Sequence, residues 1–96
     1  MIAFGGFAGS TDQTIVYDRV AHYIVISNEG ASDVTITAGT AFNDLFTYTV
    51  KPGFIFDERV GRFDRVRIVS GGSAYIGYVR YDPDGEWISS AEYLYR

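Results

Sequence analysis

The apolar residues of this chain recur on a period of two, and no long stretch carries the period of about 3.6 that an amphipathic helix requires. In "HYIVISN", Tyr23 and Val25 fall on one side and Ile24 and Ile26 on the other, apolar on both, which suits a strand covered on both faces. "DVTITAG" sets Val34 and Ile36 against Thr35 and Thr37, the pattern of a half-buried strand. "LFTYTVKPGFIF" holds two β-rich runs around Lys51-Pro52-Gly53, where proline presets φ at the second turn position and glycine supplies positive φ at the third. "TIVYD" and "EWIS" are shorter strand candidates, and Asp82-Pro83-Asp84-Gly85 marks a turn. The pattern predicts an all-β fold, an antiparallel β-sandwich or jelly roll of about seven to eight short strands.

With 96 residues there is material for one core. We expect a glycine- and phenylalanine-rich N-terminal arm over residues 1–13, flexible until docked, and a single β domain over 14–96. The chain has no cysteine, so packing or association has to stabilise it. No apolar run reaches membrane-spanning or signal-peptide length, which predicts a soluble protein without a secretion signal and no membrane partner.

Charge is segregated. Residues 1–50 balance to −4, residues 51–81 to +3 and residues 82–96 to −3, giving the net −4. A basic middle between acidic ends can pair internally or with another copy. A pI near 4.7 opposes phosphate binding, so nucleic acid is not an expected partner.

"VRIVSGGSAYIGYVRYD" reads as a hairpin about Gly71-Gly72. Counting outward from that turn pairs Ile68 with Tyr75, Arg67 with Ile76 and Arg65 with Tyr78. One face then gathers Val66, Ile68, Tyr75, Gly77 and Val79 as core. The other gathers Arg65, Arg67, Tyr78 and Arg80. This arginine face is either a solvated surface paired to Asp57 and Glu58, or an interface, since arginine and tyrosine are enriched at binding hot spots. Ile2, Phe4 and Phe7 of the arm and Trp87, Tyr93 and Tyr95 of the C-terminal segment complete the candidate interface set.

The catalytic inventory is thin. His22 is the one histidine and stands before an apolar strand, so a structural role outweighs a metal-binding one. Asp57 and Glu58 are adjacent and would point to opposite faces of a strand, which separates them as an acid/base pair. Asp82-Pro83-Asp84-Gly85-Glu86 begins like a calcium loop but lacks the downstream glutamate. We expect no enzyme, no metal and no cofactor.

The runs "YIVISNEG", "DVTIT", "VKPGFIFDER" and "VRIVSGGSAYIGYVR", between Tyr23 and Arg80, resemble small β-sandwich virion proteins of tailed bacteriophages. That resemblance implies a capsid decoration subunit located in the virion. It would be homo-oligomeric, favouring a trimer, would grip the major capsid protein or another virion protein through its N-terminal arm, and would have no catalytic residues. The alternative is a carbohydrate- or receptor-binding module of a phage tail or cell-surface protein, with Trp87 and the tyrosines stacking on a glycan.

Overall fold

A computed structural model describes residues 4–81. They form six strands in one hydrogen-bonded antiparallel sheet: β1 (Phe4–Gly9), β2 (Gln13–Asn28), β3 (Val34–Gly39), β4 (Asp44–Val50), β5 (Ile55–Val69) and β6 (Tyr75–Tyr81), in the spatial order β1-β6-β2-β5-β3-β4. The all-β, sandwich-like class holds among the described residues. The strand count is six, because "TIVYD" and "HYIVISN" fuse into β2 and the runs on either side of Gly61 fuse into β5.

Those two long strands turn one sheet into two layers. The C-terminal half of β2 pairs with the N-terminal half of β5, from Tyr23 with Arg59 to Ser27 with Ile55. The N-terminal half of β2 pairs with the C-terminal half of β5, from Gln13 with Ile68 to Val16 with Arg65. Between them the register shifts, at Val16/Ala21 and Ala21/Tyr23, and Gly61 adopts φ +94. Bulges and a left-handed glycine bend and twist a strand, which here folds the ribbon back on itself. One layer is β1, β6 and the first ribbon half. The other is the second ribbon half, β3 and β4.

Contacts between the layers show the closure. Tyr48 and Phe46 of β4 lie 4.8 and 5.5 Å from the Phe56 ring, and Tyr17 of β2 packs edge-on against Tyr81 of β6 at 5.7 Å. Ile24, Ile26, Val34, Ile36, Phe63, Val66, Ile68 and Val79 are fully buried in one cluster. At about 25 cal/mol per Å2 of apolar area, each buried aliphatic side chain contributes about 1.5–3 kcal/mol before conformational entropy is set against it.

The loops at one end are tied by Asn28, which is fully buried. Its Nδ2 donates to the carbonyls of Ser32 (2.7 Å) and Val50 (2.8 Å). Its Oδ1 accepts from Ser73 Oγ (2.7 Å) and the Gly30 amide (3.1 Å). Lys51-Pro52-Gly53 forms the expected turn, with Gly53 at φ +80 and the Phe54 amide 3.0 Å from the Lys51 carbonyl. Phe4 and Tyr81, where the described chain begins and ends, lie at the opposite end, since Phe4 pairs with Arg80.

Candidate assembly surface

The expected Gly71-Gly72 hairpin is corrected. The turn itself is present: both glycines have positive φ and the Ser73 amide bonds the Ser70 carbonyl at 2.9 Å. Beyond it β5 and β6 separate into different layers, because β2 inserts between them. Ile68 pairs with Gln13 and Ile36, while Tyr75 pairs with Asn28 and Gly9. Side chains at the turn hold this arrangement. Asp12 accepts from the Ser70 amide at 2.8 Å, and the buried Ser73 hydroxyl is drawn to Asn28.

The arginine face therefore divides. Arg65 and Arg67 stand on the outer surface of one layer, among Thr35, Thr37, Thr47 and Thr49, whose hydroxyls bond across β3 and β4 at 3.2 Å. Arg65 pairs with Asp64 at 3.2 Å and Arg67 with Asp44 at 3.5 Å. Tyr78 and Arg80 stand on the outer surface of the other layer. There the Arg80 guanidinium lies 4.8 Å from the centre of the Tyr23 ring, and the Tyr23 hydroxyl donates to Asp57. That hydrogen bond, with the negative charges of Asp57 and Glu58, raises the Tyr23 pKa against the opposing pull of Arg80. Asp57 thus serves the Arg80 cluster through Tyr23 and leaves Arg65 and Arg67 to other acids.

The described part of the expected N-terminal arm, Phe4–Gly9, is an edge strand paired along β6. Phe7 turns inward and packs on Tyr75, with ring centroids 6.3 Å apart. It sits over Gly77, where any Cβ would collide with the Val25 carbonyl and with the Phe7 ring at 2.9 Å. Ile2, Trp87, Tyr93 and Tyr95, like the Asp82-Pro83-Asp84-Gly85 turn, lie outside the described residues.

The surface that periodicity missed runs along β4 and the N-terminal half of β5. Among the described strands β4 pairs with β3 alone, and Ile55–Arg59 with β2 alone, so no described strand covers the other backbone edge of either. Between them Phe46, Tyr48, Ile55, Phe56 and Val60 line a groove of about 460 Å3, rimmed by Asp57, Glu58 and Arg59. Around it Leu45 is 51% exposed, Tyr48 47%, Phe54 66% and Ile55 65%. The β4 edge at Leu45–Val50, without charge, proline or glycine, is of the kind that monomeric proteins usually cover, whereas the β5 edge carries Asp57, Glu58 and Arg59. The one available signal was the composition of "LFTYTV", β-prone and without charge.

Two carboxylates border the groove. Its carboxylates, Asp57 and Glu58, point to opposite faces of β5, as their spacing predicts. Among the described residues no three His, Asp or Glu side chains converge as metal ligands.

The fold is similar to a solved structure from Bacillus endospore appendages, described as a family of disulfide-linked pili. The TM-score is 0.59 at 20% identity, covering 83% of this chain and 87% of that one. A structure of PirA aligns at a TM-score of 0.44 and 16% identity, over 85% of this chain and 92% of that one. No protein-family model and no curated protein matches the chain.

These findings overturn the phage resemblance. The structure that shares the fold comes from endospore appendages and not from a virion, so the capsid decoration role, the tail-adhesin alternative with its glycan or receptor, the major capsid protein as partner and the virion location are withdrawn. What the appendage match establishes is the fold. The disulfide links named for that relative have no counterpart here, because this sequence contains no cysteine.

Proposed function

We propose that this chain is a structural subunit that associates with copies of itself and acts by contact rather than catalysis. The observation that carries the reading is the β4–β5 side, where two strand edges that no described strand covers flank exposed Leu45, Tyr48, Phe54 and Ile55. Burial of such side chains between copies supplies apolar area, and edge pairing supplies the direction of assembly. An appendage subunit of similar fold supports the same class of role. The same patch meeting its copy about a two-fold axis gives a closed dimer. A heterologous contact closes into a ring, such as the trimer, or runs on as a filament according to the rotation it imposes.

Light scattering over a wide concentration range tests this. The mass should rise with concentration, and Leu45→Lys combined with Ile55→Lys should return the chain to monomer with its β spectrum intact. A wild-type chain that stays monomeric at millimolar concentration refutes the proposal.

A further inference from the structure

Resting on that reading, we infer that β4 pairs antiparallel with the β4 of a second copy, about a two-fold axis through Thr47, so that the two copies share one continuous sheet. Charge selects the edge. Where a strand meets its own copy antiparallel about a two-fold axis, one residue lies opposite itself, because only residues of one face can be opposed. Centred on the charged run of β5, that residue is Asp57, Glu58 or Arg59, and each choice sets like charges against one another. From Leu45 to Val50 of β4 no residue is charged, so no such pair arises. β1 is uncharged as well, but glycine at three of its six positions leaves few side chains to pair.

The ends of β4 set the direction. Asp44 opens the strand and Lys51 follows it, with no charge between them. An antiparallel copy brings each Asp44 beside the other copy's Lys51, whereas a parallel copy would bring acid to acid and base to base. Both side chains keep room for that contact. The register shift between Ala38 and Gly39 turns Asp44 to the outer surface, where it meets Arg67 at 3.5 Å and stays 62% exposed. Lys51, beside Asp33 at 3.1 Å, stays 64% exposed.

Packing sets the register. With Thr47 on the axis, Phe46 of each copy lies opposite Tyr48 of the other, and Leu45 opposite Thr49. Within one chain the Phe46 and Tyr48 rings already stack, 6.3 Å apart and 7° from parallel, and both border the groove. Two stacked pairs thus become one aromatic row across the axis, of the kind that stabilises sheets most. On the outer surface the bonded Thr37 and Thr47 hydroxyls continue as a ladder into the copy. With Tyr48 on the axis instead, Phe46 would face Val50, which is buried within its own chain. With Phe46 there, Lys51 would lie farther from the copy's Asp44.

Because the sequence has no cysteine, single substitutions in the full chain read the axis directly. Thr47→Cys should cross-link with itself under mild oxidation, since opposed Cα atoms lie about 4.5–5.5 Å apart, within disulfide range. Thr49→Cys alone should give roughly tenfold less covalent dimer, because its own copy lies about 14 Å away along the strand, and mixing it with Leu45→Cys should restore the yield. Charge provides an arm without sulfur. Asp44→Lys and Lys51→Glu should each weaken self-association about tenfold when alone, and the two mixed should recover a one-to-one dimer by light scattering, since every acid then meets a base. Self-association with neither the Thr47→Cys cross-link nor recovery on mixing overturns the β4 pairing and leaves the self-association reading standing. Equal cross-linking from Thr47→Cys and Thr49→Cys overturns the axis at Thr47. A wild-type chain monomeric at every concentration overturns both this pairing and the reading it rests on.

Discussion

Asn28 offers the sharpest test of how the two layers are joined. Asn28→Asp keeps the shape of a side chain that is fully buried but removes both Nδ2 donors, which hold the Ser32 and Val50 carbonyls at 2.7 and 2.8 Å. Each stranded carbonyl costs about 1–3 kcal/mol, and an ionised carboxylate facing two carbonyl oxygens adds to that. The expected loss is about 4 kcal/mol at neutral pH, a large share of the roughly 5–15 kcal/mol that stabilises a domain. It corresponds to a Tm lower by roughly 15–30 °C. The sign of the pH dependence follows from the site. With no donor replaced, the new carboxyl has a folded pKa above its unfolded value of about 3.9. The variant is therefore least impaired below about pH 4, where the protonated acid can donate to Val50, and loses stability as pH rises through the folded pKa. Urea unfolding at pH 4 and pH 7 with unchanged m-values measures this. A variant within about 1 kcal/mol of wild type at pH 7 would refute the hub role of Asn28.

Three further outcomes follow from the same geometry. Gly77→Ala should destabilise by more than about 2 kcal/mol, since its Cβ would meet the Val25 carbonyl and the Ile26 Cα at 2.9 Å, whereas Gly53→Ala, in open space at φ +80, should cost only about 1–2 kcal/mol in chemical denaturation. Tyr17 carries a buried hydroxyl with no hydrogen-bond partner among the described residues, and desolvation, then Tyr81, raises its pKa above the usual phenol range. Its stabilising contribution is complete below the unfolded pKa of about 10 and is lost as pH rises beyond it, so Tyr17→Phe should be neutral or stabilising at pH 7 and should flatten the loss of stability between pH 9 and 11. Because Arg80 and the Arg65/Arg67 pair occupy opposite outer surfaces, Arg80→Ala should add to Arg65→Ala/Arg67→Ala within about 0.5 kcal/mol. Arg80→Ala and Tyr23→Phe, which share a contact, should couple measurably in the same unfolding assay.

The inward residues were legible and the pairing was not, for one physical reason. Val66, Ile68, Tyr75 and Val79 are all buried, as alternation about Gly71-Gly72 predicts, because a turn that opens into two layers buries the same alternate positions as a hairpin in one. Periodicity reports which side of a strand faces the core; it does not report which strand lies beside it. The turn chemistry was equally correct and equally silent, since two positive-φ glycines suit a hairpin and also the crossing seen here. Only a long-range fact decides between them: Asp12, 58 residues before Ser70, caps its amide and brings β2 in beside β5.

The arginine cluster failed for that reason too. Arg65, Arg67 and Arg80 have the right parity to be exposed, and their gathering on one face depended wholly on the hairpin. The fused strands were foreshadowed at Gly61, where a glycine inside a β-rich run marks a bend that lets fifteen residues serve both layers. That bend also creates the candidate surface. By carrying β5 at Gly61 from the β6 layer into the layer of β3 and β4, it leaves Ile55–Arg59 with β2 as its one partner among the described strands, beside the groove over Phe46 and Tyr48. Among the described residues, the bend that closes the sandwich along one side thus leaves it open along the other, and a sequence without cysteine has packing and strand pairing rather than disulfides with which to close that side.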